Sequence, residues 1–225
     1  MTSDAVYRLL EKEIILGHLK PRERLPESAL CQRLKASRTL LREVFRRLEG
    51  AGLVTLQPNR GVVVRDFSPS EVEDVYYLRT ALERAAIPLI IQRVRPEDIR
   101  DLRKLAGEFE AACRRGAMAA MILTNLAFHR RLTQASGNTF LQKSLAVSHL
   151  QTHQIRYVAW LSPARVQRSI REHKAILMAL VRRDGAALWH VVRAHLAAGR
   201  EDYRRIFPVG EGVDHAPDFH RSGAG

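Results

Sequence analysis

Beyond Arg65 the chain shows no strand-like alternation: apolar residues recur at helical spacing as far as about residue 207. The pattern breaks near Arg95-Pro96, Arg114-Arg115-Gly116, Ser136-Gly137-Asn138, Ser162-Pro163 and Asp184-Gly185. Short breaks between helical runs predict an all-α antiparallel bundle of about six helices over 67–207. The first 66 residues read differently. Val6, Leu9, Leu10 and Ile14 open a helix that ends before Gly17, a second helix runs from Glu27 to Leu34, and Ser37 starts a third after a tight turn. Leu53-Val54-Thr55-Leu56 and Gly61-Val62-Val63-Val64 are short β-branched strands joined through Pro58-Asn59-Arg60-Gly61. The fold class expected is mainly α: an N-terminal winged helix-turn-helix over 1–66, then the helical bundle. Ser70 is the expected cap of the first bundle helix, with Glu71, Glu73 and Asp74 in its first turn. From Pro208 to Gly225 the aperiodic Gly, Pro, Asp and His residues predict a disordered tail.

A chain of 225 residues is long enough for two such units, and its formal net charge of +13 favours a nucleic-acid partner. The basicity does not say where that partner binds, because residues 1–66 hold 13 basic and 8 acidic side chains and the remainder is also net positive. Two cysteines, Cys31 and Cys113, are too few for a disulfide framework and fit a reducing cytoplasm. The N-terminus does not read as a secretory signal, and no apolar run reaches membrane-spanning length.

The third helix carries the sharper signal. At about 100° per residue, Leu40, Leu41, Val44, Phe45 and Leu48 share one arc, and Arg38, Thr39, Arg42 and Arg46 share the opposite one, with Ser37 at the N-cap. Guanidinium groups grip guanine edges or phosphates, and hydroxyls near a helix N-terminus suit phosphate oxygens. Glu43 is placed to pair with Arg46 or Arg47 and hold them in position. On an arbitrary helix the same arginines would simply be solvated; here they follow a helix and a turn and precede a hairpin.

The segments Leu19-Lys20-Pro21, Leu25-Pro26-Glu27, Ser37-Arg38-Thr39, Leu41-Arg42-Glu43, Arg47-Leu48, Gly52-Leu53-Val54 and Pro58-Asn59-Arg60-Gly61 follow one another with the order and spacing of a known family. In them the chain resembles the GntR-type transcription regulators, in their FadR-like branch. The resemblance implies operator contacts at Ser37, Arg38, Thr39 and Arg42, with Asn59, Arg60 and Gly61 on the wing; Arg46 joins them from the stripe itself. The chain departs from the pattern at Arg22, where a glycine is usual, at Ser28, where some relatives carry a DNA-contacting arginine, and at Leu40, which replaces a small residue or proline.

In the bundle, Asn125 and His129 lie four apart on one helix face, and His173 and His195 stand eleven residues either side of Asp184, level with one another in a helical hairpin. Each histidine alone reads equally as a packed core side chain. Together the four supply three nitrogen donors and an amide oxygen, a set suited to a divalent metal ion such as zinc, nickel or cobalt. The stretches Asn125-Leu126-Ala127-Phe128-His129, Glu172-His173 and His195-Leu196 resemble the metal-binding motifs of the FCD domain that follows the winged helix in this branch, with Asn125 where an aspartate is common. That resemblance implies a small carboxylate effector at the metal. Arg79 is a candidate for the effector's carboxylate, although a surface pair with Glu83 accounts for it as well. Tyr76, Tyr77, Trp160 and Trp189 are expected to fill the core, and His149, His153 and His190 receive no role. The expected protein is a ligand-responsive, homodimeric DNA-binding regulator, a repressor by preference, and no enzyme. Two alternatives stand beside it: the same head with a metal-free, acyl-thioester-type effector, and a helical metallohydrolase using the three histidines.

Overall fold

The computed structural model describes residues 1–57, 61–156 and 162–206. Helix α1 (Ser3–Ile15) begins on Thr2, whose hydroxyl accepts from the Ala5 amide at 3.3 Å, and it buries Val6, Leu10, Ile14 and Ile15. Helix α2 (Glu27–Leu34) ends at Lys35 in a left-handed conformation, φ 49°, which turns the chain tightly into α3 (Arg38–Gly50). The Ser37 hydroxyl caps α3 by accepting from the Leu40 amide at 3.2 Å. Strands β2 (Val54–Gln57) and β3 (Gly61–Val64) pair antiparallel. A third strand not foreseen in the sequence, β1 (Arg24–Leu25), pairs with the free edge of β3, giving the order β1-β3-β2. Arg22, two residues before it, sits at φ 66°, a left-handed conformation that suits the glycine expected at this position. Leu10, Leu30, Leu41, Phe45, Leu48, Leu53 and Val62 join in one core beneath helices and sheet.

Six helices follow: α4 (Pro69–Arg93), α5 (Pro96–Arg114), α6 (Met118–Gln134), α7 (Thr139–Arg156), α8 (Pro163–Val181) and α9 (Gly185–Ile206). Their limits fall at the expected breaks. The cap of α4 is Ser68 rather than Ser70: its hydroxyl accepts from the Glu71 amide at 3.3 Å and Glu71 accepts from the Ser68 amide at 2.9 Å. Pro69 at the first helical position and Glu71 three residues after Ser68 make this a capping box, so of the expected acidic trio only Glu71 lies in the first turn. Ile90, Leu102, Phe128, Leu145, Ile176, Leu180 and Leu188 anchor the bundle core. Tyr76 belongs to that core, whereas Tyr77 is 80% exposed, against expectation, because it falls one residue off the buried arc. Trp189 is half-buried. Pro58, Asn59, Arg60, Trp160 and the expected tail 208–225 lie outside the described residues.

Head and bundle touch. Ile15 and Leu16 at the end of α1 pack on Met118, Ile122 and Leu126 of α6 and on Leu150 of α7. Gly52, in a left-handed turn at φ 70°, lies so close to the Gln151 side-chain amide of α7 that an added Cβ would force that amide to move. The Tyr203 hydroxyl donates to the Phe67 carbonyl at 3.1 Å and ties the connecting segment to α9. No helix among the described residues is long and apolar enough to cross a membrane.

Candidate nucleic-acid interface and buried histidine site

The buried arc of α3, Leu41, Val44, Phe45 and Leu48, seats the helix on the head so that Ser37, Arg38, Thr39, Arg42 and Arg46 all face outward. Four of these side chains are polar groups with reach: three guanidiniums and a threonine hydroxyl. Arg42 Nε donates to the Glu27 carboxylate at 3.0 and 3.3 Å, a contact between α2 and α3 that the sequence gives no means of anticipating. Contrary to the expectation from helical spacing, Glu43 pairs with neither Arg46 nor Arg47; it accepts from the Ser3 hydroxyl at 2.7 Å. Arg47 reaches Asp4 at 2.9 Å and covers the Tyr7 ring at 4.5 Å, which assigns it to holding α1 on α3. Gly61 opens β3 at φ 80° beside the wing tip, and the other two expected wing contacts, Asn59 and Arg60, lie outside the described residues.

In the bundle the three histidines picked out by spacing do come together, and Asn125 lies buried one turn before His129 on the same helix. Asn125 and His129 (α6), His173 (α8) and His195 (α9) are each at most 5% exposed. The His129 ring centre lies 5.5 Å from that of His173 and 5.0 Å from that of His195, and His173 and His195 are 6.2 Å apart. A fourth imidazole, His149 of α7, is 5.7 Å from His129 and 1% exposed. It received no role from the sequence, although Leu145, Ser148, His149 and Thr152 recur at i, i+3, i+4 and i+7 and so mark it as inward-facing.

Carboxylates fix two of these rings. His195 Nδ1 is 2.6 Å from Glu172 Oε2, and Arg165 and Arg168 donate to the same carboxylate at 3.0 and 2.8 Å. Burial on its own would raise the Glu172 carboxyl, but the His195 bond and the Arg165 charge outweigh it and hold the group at about 2. An ionised carboxylate only accepts, so Nδ1 carries a proton, and Nε2 is the nitrogen that would be left to bind a metal ion. His149 Nε2 is 3.0 Å from Glu83 Oε1. Burial opposes the charge on Glu83 too, yet His149 and Arg79 hold its carboxyl below the usual range.

Arg79 is not on the surface. It is fully buried on α4, with Nε 3.6 Å from Glu83 Oε1 and Nη1 donating to the Thr152 hydroxyl at 2.8 Å. Its Nη2 and both polar atoms of the Asn125 amide are buried without a hydrogen-bond partner. Buried donors and acceptors of this kind are costly, and they gather at sites that receive a polar ligand.

The donor chemistry suits a divalent cation: neutral imidazoles, an unengaged amide and a carboxylate orienting one ring from behind. A metal bound to two imidazole nitrogens sets the ring centres about 4.5–5.2 Å apart. The His129–His195 separation of 5.0 Å falls in that range, the two that involve His173 run wider at 5.5 and 6.2 Å, and among the described residues no three His, Cys, Asp or Glu side chains close on a common point. A shared ion therefore requires the His173 ring to draw in toward the other two, by up to about an ångström.

Two family models match the chain: bacterial regulatory proteins of the gntR family over residues 2–64 and the FCD domain over residues 74–198. The Nta operon transcriptional regulator of Aminobacter aminovorans is 32% identical over 80% of this chain and 83% of its own length. The galactonate operon transcriptional repressor of Escherichia coli is 26% identical over 91% of this chain and 97% of its own. In fold the chain is similar to E. coli McbR/YncC, at a TM-score of 0.81 and 21% identity over 90% of this chain and 97% of that one. A head whose α3 turns arginines outward, a helical bundle with histidines at its centre and likenesses that span most of the chain converge: the chain belongs to the GntR family of bacterial transcriptional regulators, as a member with an FCD domain behind its winged helix.

Proposed function

We propose that this regulator is a cytoplasmic homodimer whose winged head, residues 1–66, binds a two-fold operator and whose bundle, residues 67–207, senses a small carboxylate. Operator contacts fall to Ser37, Arg38, Thr39, Arg42 and Arg46 of α3 and to Asn59, Arg60 and Gly61 of the wing. Arg38 and Arg42 are the first candidates for base reading, since both are exposed near the N-terminal end of α3. Glu27 holds Arg42 across the face of the head in the free protein, and DNA competes for that guanidinium. Repression is the preferred outcome, as in the galactonate operon relative.

Asn125, His129, His173 and His195 would hold a zinc, nickel or related ion, whose open position would take an effector carboxylate while the buried Arg79 adds a charge-assisted bond. A bound ion supplies Lewis acidity; everything else is positioning by the chain's own residues. Glu172, engaged by His195, Arg165 and Arg168, is not free to act as a general base, so a hydrolase reading finds no proton acceptor there.

One observation carries the coupling of site to head. Helix α6 presents Ile122 and Leu126 to α1 and Asn125 and His129 to the site, and α7 presents Leu150 to α1 and His149 and Thr152 to the site. An effector that draws the histidines together moves helices that the head rests on, and so shifts the balance between two head arrangements. The dimer face is assigned to α4 and α7. These run antiparallel, since Arg79 meets Thr152 and Glu83 meets His149, and they expose Tyr77 (80%), Leu78 (52%) and Phe140 (81%), with Ala81 and Ala85 also outward.

Fluorescence anisotropy against the DNA upstream of the gene tests the first claim: binding that is specific and weakens steeply with salt is expected, and its absence there and at neighbouring promoters overturns it. Metal analysis tests the second. One ion per chain, lost in His173→Ala and His195→Ala, is expected; a metal-free protein points to the acyl-thioester reading.

A further inference from the structure

A cavity of about 230 Å³, open to solvent on one side, lies between α6 and α7. Its rim carries Arg130 and Lys143, both exposed, one from each helix. Its walls include Ala146 and the buried Thr133, and its floor is His149. That imidazole also meets Glu83, 3.0 Å from Nε2, and its ring centre lies 5.7 Å from that of His129. The cavity thus runs from a doubly cationic mouth to the edge of the buried histidine cluster. Its volume is that of about eight waters at about 30 Å³ each, enough for a small metabolite. Across the mouth, Gln142 Nε2 reaches the Gln134 carbonyl at 3.5 Å, a long single bond that yields easily.

We infer that the α6/α7 cavity is the entrance through which a small anion reaches the buried site, with Arg130 and Lys143 as an electrostatic collar that admits anions ahead of neutral or cationic solutes. This rests on reading the histidine cluster as an effector site. Two like charges at the mouth of a narrow cleft raise the local anion concentration and the rate of entry. His149 and Arg79 lie behind the collar, so an arriving carboxylate passes from one cationic or donor group to the next. The entrance lies between the two helices that also touch the head, which places passage of the ligand and movement of the head on the same pair of elements.

Cysteine accessibility tests this without a known effector or metal. In a Cys31→Ser/Cys113→Ser background, Thr133→Cys places a thiol on the cavity wall at nearly unchanged volume, and Ala146→Cys places one on the opposite wall. Each folded variant is labelled with anionic sulfonatoethyl and with cationic trimethylammonioethyl methanethiosulfonate, the rates being followed by mass spectrometry. The anionic reagent should react about tenfold faster at low salt, relative to the two reagents' rates on free cysteine. Adding Arg130→Gln and Lys143→Gln, or about 0.5 M salt, should bring the two rates together. Equal rates without those changes overturn the collar. A thiol at 133 that stays unreactive in folded protein overturns the entrance. If labelling follows expectation while no carboxylate alters operator binding, the entrance stands and the proposed effector role falls.

Discussion

Glu83→Gln is the substitution whose cost the structure sets most clearly. Arg79 is 0% exposed, and its charge is opposed at 3.6 Å by Glu83, which is 3% exposed. At an effective dielectric of about 20, two unit charges at that separation attract by about 4–5 kcal/mol. Glutamine keeps an acceptor for His149 but removes the charge, so Arg79 is left buried with the Thr152 hydroxyl as its remaining hydrogen bond. Breaking one partner of such a pair costs about 3–5 kcal/mol, because the surviving charge is desolvated without compensation. Arg79→Met together with Glu83→Gln removes both charges at similar volume and should lie within about 1 kcal/mol of the parent. Urea unfolding followed by circular dichroism reads the difference: with a slope of about 2–3 kcal/mol per molar, Glu83→Gln should lower the midpoint by about 1–2 M and the double variant should restore most of it. A midpoint within about 0.3 M of the parent for Glu83→Gln, or a double variant less stable than the single one, would refute the view that a buried charge at Arg79 is held by Glu83.

Three further outcomes are expected. Arg42→Ala should weaken operator binding by about ten- to a hundredfold in anisotropy titrations while the thermal midpoint stays within about 1 °C, because the side chain is 64% exposed and buries nothing. Tyr77→Asp with Phe140→Asp should convert a dimer to a monomer in light scattering, since each side chain stands exposed on one of the two helices to which the interface is assigned; an unchanged mass would place the interface elsewhere. Asp98 accepts from the Arg95 amide at 2.7 Å and pairs with Arg131; burial pushes its carboxyl up, but those contacts hold it below the usual aspartate value. Its contribution is therefore complete above the unfolded pKa of about 3.9 and is lost as pH falls through the lower folded value. Asp98→Asn should cost about 1–2 kcal/mol at pH 7 by urea unfolding, and progressively less relative to the parent as the pH drops below 4.

The legible parts of the fold were those written in local chemistry. Pro26, Ser37 and Gly50 punctuate α2 and α3 where they stand, and the arc of Leu41, Val44, Phe45 and Leu48 fixes which face of α3 turns outward. The histidine site was legible for the same reason: Asn125 and His129 share a helix face, and His173 and His195 flank one turn. What was missed depends on elements meeting in space. Strand β1 is two residues long and exists through its pairing with β3; Arg42 finds Glu27 on another helix; Arg47 finds Asp4 on α1 rather than its own neighbour Glu43. Other misses were readable. Ser68-Pro69-Ser70-Glu71 spells a capping box at Ser68, and Val72, Tyr76, Arg79, Glu83, Ile87 and Ile90 form one buried arc of α4, which rules out the surface pair of Arg79 and Glu83 that stood beside the effector reading. There the polar character of Arg79 and Glu83 hid a periodicity that their positions obeyed.

The proposed function requires a buried carboxylate-binding site that governs the head. Operator affinity should therefore be measured by anisotropy, with zinc or nickel present, across a panel of small mono- and dicarboxylates, for the parent protein and for the Arg79→Met/Glu83→Gln double variant, which keeps near-parental stability. At least one carboxylate is predicted to change the parent's affinity by about five- to a hundredfold and to leave that of the double variant unmoved. A panel that shifts neither protein, or shifts both alike, would contradict it.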